Sequence, residues 1–377
     1  MNWVIRELLI FLGICLLFLL SPIWAQQGFV KVPVADLIGH PMSVHAYGQL
    51  PYCGADPDPF TVCPRIHQLL LHESVEIIAE KNHQVCIKTP NLFFITKQNK
   101  HPHNIFWTLK KNVQPISNED KLPKSNASIS LLHPFFNSKT GQTYSAGTTF
   151  AIKETNRNGV IAWAFNGITH TFEPIRIPKA HCFLPAKEKD KKRDQFVGLC
   201  RVWAHETYIP YVWGGTSYLE KQTDPFFIQE KVIHNKKLAH FSFAHEKAQK
   251  TGFDCAGLIW RAAQMCGIPF FYKNTTTIAH YLKPVKKAKQ LKKGDIIWIA
   301  GHVMIVGSVE KNTLIEARGY NHGFGKVQEI PLHHVFKHIK TFDQLFVHQQ
   351  KKLPFYRMDS SQKVVQTIHE LKVLQLL

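Results

Sequence analysis

Long apolar runs are missing from this sequence except at its start, cysteine pairs with zinc-ligand spacing are missing altogether, and acidic residues are scarce. The one apolar run, Leu8 to Leu20 within MNWVIRELLIFLGICLLFLLSPIWAQQ, is too short to span a bilayer comfortably. Ala25 offers a small residue for cleavage, so residues 1–25 read as a secretory signal. The expected location is secreted or periplasmic, with no stable membrane insertion after cleavage. An uncleaved anchor is the competing reading, because Trp24 beside the cleavage point is bulky.

The shortage of acid, 27 Asp and Glu against 46 Lys and Arg, leaves a formal net charge of +19. In a cytosolic protein that excess would point to nucleic acid. Outside the cytoplasm the abundant polyanions are cell-wall polymers, lipid headgroups and acidic peptides, so no nucleic-acid partner is expected. Arg6 and Glu7 cancel within the signal, and the other basic residues are spread through stretches such as KEKDKKR (187–193) and KPVKKAKQLKK (283–293). Spread charge reads as solvated faces and identifies no partner by itself.

Of the 8 cysteines, Cys15 leaves with the signal, and Cys53, Cys63, Cys86, Cys182, Cys200, Cys255 and Cys266 remain. That number is odd, so at least one thiol is unbridged within the chain. Cys53 and Cys63 flank the turn-rich GADPDPFTV and are candidates for a disulfide, with buried unpaired thiols as the alternative. The nearest metal-like cue is His334 and His338 at i, i+4, a coincidence easily produced by 22 histidines. No metal and no cofactor are expected.

A chain of 377 residues exceeds what one core usually supports, so two or three domains are expected. From about 28 to 116 the pattern is short β-like runs between turns: FVKVPVADLIG, RIHQLLLH, SVEIIAE, QVCIKTP and IFWTLKK. Alternation without a long helix argues for a small barrel or sandwich. Residues 117–137, containing NEDKLPKSNASIS, read as a linker. A second β-like block, TTFAIKE, GVIAWAFN and ITHTFEPIRI, occupies 138–186. The third block, 190–350, begins with helical spacing in RDQFVGLCRVWAHET and continues into IPYVWGGTS, where Pro210 stops the helix and paired glycines allow close backbone approach. Residues 216–250 form an insertion of no clear period, and the tail, 351–377, has the spacing of an amphipathic helix.

Within the third block TGFDCAGLIWRAAQMCG carries Leu258, Ile259, Ala262, Ala263, Met265 and Cys266 on one helical face, with Gly267 and Pro269 as the stop. Asp254 sits where an N-cap belongs, which puts Cys255 in the first turn. Free amides and the helix dipole there lower a thiol's pKa and offer an oxyanion site. Downstream, LKKGDIIWIAGHVMIVGS and TLIEARG read as successive strands. His302 and Glu316 are polar positions in apolar runs; if 302–307 and 311–316 form a hairpin, they meet at its open end. Cys255, His302 and Glu316 then supply nucleophile, base and orienter. Simple burial of Cys255, a backbone-satisfied His302 and a Glu316 paired with Lys or Arg318 at a sheet edge are the structural alternatives.

The ordered set YVWGG, FDCAGL, GDIIW with GHVMIV, and LIEA resembles the NlpC/p60 family of papain-like cysteine peptidases, over about 193 to 348. VPVADL followed by RIHQLLLHESVEII is similar to the bacterial SH3-like domain of γ-D-glutamyl-L-diamino-acid endopeptidases. The resemblance implies an α+β fold, a papain-like catalytic domain preceded by one or two small SH3-like β-barrels, and cleavage of peptidoglycan stem peptides or released muropeptides. It also implies Tyr211 near the nucleophile as an oxyanion or substrate ligand, and Asp254, with Glu73, as receptor for a substrate amine; capping alone is the alternative for Asp254.

Three departures bear on this. Ala256 follows the nucleophile where the family usually has Ser, the insertion reshapes the cleft rim, and the His302 to Glu316 interval is slightly long, leaving Asn321 or His322 as substitutes. A catalytically silent peptide-binding protein and an acyltransferase on the same scaffold are the other readings.

Overall fold

The computed structural model describes residues 25–48, 50, 63–95, 101, 103–116, 123, 125, 127–205, 208–219, 227–233, 236–242, 251–319 and 323–377. The signal region and Cys53 lie outside them.

The first block is an antiparallel sheet of β1 (Gln26–Val30), β2 (Val34–Ile38), β3 (Arg65–Leu70), β4 (Ser74–Lys81), β5 (Gln84–Lys88), β6 (Ile105–Leu109) and β7 (Val113–Pro115). Its strand order is β3-β2-β6-β5-β4-β1-β7, an open succession rather than the closed barrel expected. The reason lies at one edge. Gln68 of β3 spends its hydrogen bonds on Thr216 and Ser217 of the third block, its amide on Thr216 Oγ1 at 3.1 Å, so that edge is docked instead of closing on its own sheet.

Part of the expected linker is structured. Ser128–Leu131 is strand β8, joined by β9 (Thr149–Asn156), β10 (Gly159–Asn166), β11 (Thr171–Pro178) and β12 (Cys182–Phe183) in the order β11-β10-β9-β8-β12. Phe135–Asn137 pairs with Gln142–Tyr144 in a separate hairpin. SISL reads as polar, but Ile129 and Leu131 complete the core of this sheet against Phe150 and Ile177. Here too the strand order is open.

The third block is built on helix α1 (Lys189–His205), helix α2 (Cys255–Met265) and a sheet of β13 (Ile296–Ile299), β14 (His302–Ser308), β15 (Thr313–Arg318), β16 (Lys326–Pro331) and β19 (Leu371–Leu374), in the order β16-β15-β14-β13-β19. The charge run before Phe196 is the start of α1. This sheet is buried on both faces, which explains its unbroken apolar runs. Val303, Ile305 and Ile315 join the core of α1, α2 and the first sheet. Met304, Val306 and Leu314 join a second core with Phe342, Leu345 and Phe355 from beyond the sheet. One continuous core therefore unites the first and third blocks.

The tail is not helical. β17 (Phe355–Met358) and β18 (Val364–Ile368) form a hairpin, and β19 becomes the outer strand of the third-block sheet through Ile296↔Leu374 and Ile299↔Leu371. A helix would have left the edge of β13 unpaired, and the ladder with β19 settles the ambiguity of the apolar spacing. In the insertion, Phe227–Ile233 and Lys236–Ser242 pair as an antiparallel hairpin. Among the described residues no helix is long and apolar enough to cross a membrane.

Candidate active site

Helix α2 starts as its sequence predicts. Asp254 caps it by accepting from the amide of Gly257 at 2.5 Å, and Cys255 occupies the first helical position. Gly257 is required by contact: a Cβ there would lie 2.0 Å from the carbonyl oxygen of Gly215, so the glycine pair of YVWGG and the glycine of FDCAG let loop and helix meet. Tyr211 is buried in that loop and fixed by its amide to the carbonyl of Gly325 at 2.8 Å.

The amides of Val303 and Ala256 point at the Cys255 thiol. Val303 is the residue after His302, so helix and sheet bring the two candidate residues to one place, although no hydrogen bond joins thiol to imidazole. His302 Nε2 bonds Glu316 Oε2 at 2.7 Å. The hairpin register is Ile305↔Ile315 and Val306↔Leu314, with a bulge before Ser308↔Thr313. Glu316 therefore falls across from Met304, and His302 reaches it on the diagonal rather than directly opposite. Glu316 Oε1 accepts from Gln328 at 3.1 Å. Asn321 and His322 lie outside the described residues.

The electrostatics differ from the expectation of a depressed thiol pKa. Burial, then the charge of Asp254, pushes Cys255 up to about 12. Burial, then the guanidinium of Arg357, pushes His302 down to about 4 against the pull of Glu316. Burial raises Glu316, but the hydrogen bond and charge of His302, with Arg318 and Arg357, hold it at about 2. At neutral pH the resting site is thus a neutral thiol, a neutral imidazole and a carboxylate.

The two acids expected to receive a substrate amine are already engaged. Asp254 accepts both of its oxygens' contacts with Lys273 Nζ at 2.6 Å, as well as the amide of Gly214 at 2.9 Å. Lys273 is 2% exposed and is carried by a two-residue strand, Tyr272–Lys273, paired with Phe93–Phe94 of the first block. Glu73 accepts from Arg261 Nη1 at 2.6 Å, from Gln264 Nε2 at 2.7 Å and from the amide of Leu70 at 2.9 Å. Glu73 therefore fastens the first block to α2, and Asp254 is a cap and an ion-pair partner.

Two arginines complete the surroundings of Glu316. Arg318 Nη1 lies 3.9 Å from Glu316 Oε1, and Arg357 Nη2 lies 3.6 Å from Oε2. The pairing of Glu316 with Arg318 occurs, but on an interior strand rather than at a sheet edge. Arg357 comes from the tail, and its signal was a lone charge in the run PFYRM. Lys273 stands among aromatic residues in FFYKN, again a lone charge.

His334 sits in a helical turn that ends at Val335, before His338, so the two do not share a helix face. Among the described residues no group of three or more His, Cys, Asp or Glu is placed to hold a metal. A cavity of ≈ 850 Å³ lies on the first sheet, lined by Lys31, Ile77, Val85 and Val113 among others, away from these residues.

A helix capped by Asp254 carries a cysteine in its first turn and packs on an antiparallel sheet that carries a histidine–carboxylate pair, an arrangement chemically able to supply nucleophile, base and orienter. Among solved structures, an NlpC/P60 family protein from Bacillus cereus ATCC 10987 matches with a TM-score of 0.51 and 18% identity, covering 81% of this chain and 94% of that one. NlpC2 and NlpC1 from Trichomonas vaginalis align with TM-scores of 0.32 and 0.30 at 14% and 13% identity, covering 82% of this chain in each case and 93% and 89% of theirs. The Bacillus likeness shows a shared fold. No known family profile matches the sequence, and no curated protein matches it.

Proposed function

We propose that the protein is a cysteine peptidase acting on cell-wall peptides at the γ-D-glutamyl to diamino-acid bond, secreted or periplasmic after loss of residues 1–25. The observation that supports it most is the meeting of Cys255, at the tip of α2, with the strand that holds His302 on Glu316 at 2.7 Å. With Nε2 held by the carboxylate, the other ring nitrogen is the one that can take the thiol proton. In the proposed reaction Cys255 loses its proton to His302 as it attacks the carbonyl. The amide of Cys255 and the Tyr211 hydroxyl hold the oxyanion. His302 then protonates the leaving amine, and water releases the acyl-enzyme. The first two blocks, read as divergent SH3-like units, form the rim on which the peptide is held.

Lys273 already contacts both oxygens of Asp254, so in this reading a substrate amine taken there, as the resemblance implies, shares that carboxylate with Lys273. Hydrolysis of L-Ala-γ-D-Glu-diaminopimelate by the wild type, and its loss by at least about 10³-fold in Cys255→Ala with unchanged thermal unfolding, is the expected result. Turnover retained in that variant removes the assignment.

A second reading, a wall-peptide binding protein without turnover, draws on the thiol being pushed up to about 12. A thiol-directed probe distinguishes the two: slow labelling of Cys255 near neutral pH, with peptide bound but uncut, favours the binding protein.

A further inference from the structure

The hydrogen bonding around Glu316 is incomplete. Arg318 is 1% exposed and Arg357 5% exposed, and between them lies one carboxylate, which His302 and Gln328 already engage. Arg318 Nη2 donates to the carbonyl of Met358 at 2.5 Å, but among the described residues its Nε and Nη1 have no hydrogen-bond partner. Arg357 Nε and Nη2 have none either. Buried guanidinium groups are ordinarily satisfied, since each unpaired N–H keeps its full desolvation cost. Their unmet donors lie on either side of one shared carboxylate, with Asp359 acting on Arg318 alone, and the charge of Arg357 acts on Cys255 and Tyr211 as well as on Glu316. Planar guanidinium forks match carboxylates in shape as well as in charge.

We propose that Arg357, with Arg318 beside it, is a carboxylate-recognising subsite that selects substrates bearing a free carboxylate next to the carbonyl attacked by Cys255. The substrate side of this statement rests on the peptidase reading above. The tail hairpin β17–β18 is thereby part of the specificity apparatus, since β17 carries Arg357 to the site.

The test compares two reagents of near-equal size at the thiol, one anionic and one neutral. In each, the Cys255 sulfur displaces iodide from a CH₂ group, a C–S bond forming as C–I breaks and the thiol proton leaving to His302 or solvent. Iodoacetate carries a carboxylate beside that carbon and iodoacetamide a neutral amide. The rate of each at Cys255, read from the mass of its peptide, is measured for wild type, Arg357→Gln and Arg357→Lys, and the ratio is referred to that of free cysteine. A wild-type ratio several-fold above free cysteine, falling to the free value in Arg357→Gln and partly kept in Arg357→Lys, supports the subsite. A wild-type ratio at or below that of free cysteine, a ratio unchanged in Arg357→Gln, or no reaction of Cys255 with either reagent overturns it. Should Arg357→Gln not fold, as judged by circular dichroism, Arg318→Gln and the lysine variant decide on the same ratios.

A peptide arm separates the two ideas. The wild type is expected to hydrolyse a γ-D-glutamyl peptide with a lower KM than its γ-D-isoglutaminyl amide, and Arg357→Gln to lose that preference. A raised alkylation ratio with neither peptide cut supports the anion subsite and overturns the peptidase reading; equal KM values for both peptides in wild type overturn the subsite and leave the peptidase reading standing.

Discussion

Two carboxylates stand near the candidate nucleophile, Asp254 half-buried and Glu316 buried, and they are in opposite condition. Asp254 is saturated: an ammonium on both oxygens, a cap bond to Gly257 and an amide from Gly214. Glu316 is oversubscribed, shared by His302, Gln328 and two arginines, four of whose donor atoms are unmet among the described residues. A carboxylate with every lone pair used and its charge matched one to one can only hold structure. A cluster with surplus donors has capacity left for something that arrives. The proposed carboxylate subsite accordingly draws on the Glu316 side, where donors are left over.

The largest expected effect tests the saturated side. Asp254→Ala strips Lys273 of its counterion and α2 of its cap, and should cost about 3–5 kcal/mol in denaturant unfolding. A double variant with Lys273→Met should recover much of that loss. A loss below about 1 kcal/mol would show that Asp254 is spare, and the contrast would break.

On the oversubscribed side the effect should fall on rate. His302→Ala is expected to lower kcat/KM by about 10³-fold, within the usual range for a general acid or base. Glu316→Ala, which removes only the group that orients the ring, should lower it by about 10–100-fold, by analogy with outer-shell partners of other histidines. The reverse order in peptide hydrolysis would mean that Glu316, not His302, moves the proton.

Acid should separate the two histidine–carboxylate partners from the rest of the fold more gently. The folded His302 takes a proton only near pH 4, whereas an unfolded histidine takes one near 6.5, so between these values the unfolded chain binds more protons and stability falls as pH falls. Glu316 acts in the same direction lower down: its contribution is present above the ordinary value of 4.5 and is lost as pH falls toward about 2. Denaturation midpoints from pH 7 to pH 3 should decline accordingly, and Glu316→Gln should flatten the lower part of the decline.

The smallest effect belongs to a third kind of carboxylate. Glu80 pairs with Lys110 at 2.6 Å, but both are largely exposed, and Lys110→Ala should change stability by no more than about 0.5 kcal/mol. A change as large as that of Asp254→Ala would mean that burial does not set the difference between these sites.

The parts of the site legible in advance were those fixed within a few residues. An N-cap needs only Asp254 and the amide three residues on, and the helix behind it only an apolar face and a glycine stop. The meeting of His302 and Glu316 needed one hairpin, but its register sets Glu316 across from Met304, so the pair is diagonal rather than opposite. Lys273 and Arg357 were not legible as site residues, because each is a lone charge whose partner is far along the chain. Asp254 is 19 residues from Lys273, and Glu316 meets Arg357 only because the tail returns to the sheet. The helical spacing of the tail gave way for the same reason: Ile296–Ile299 had an unpaired edge, and pairing with Leu371–Leu374 buries Val373 and Leu374 there.

By itself the sequence determined the capped helix, the thiol in its first turn, the buried strands that follow and the histidine–glutamate pair, because hydrogen bonds and apolar periods of that range are local. Only the tertiary structure decided that the first sheet stays open and docks through Gln68, that Lys273 pairs with Asp254, and that an arginine from the tail lies beside Glu316. Those outcomes depend on which distant edge or charge is left unsatisfied once the local elements have formed, and that is a property of the packed chain.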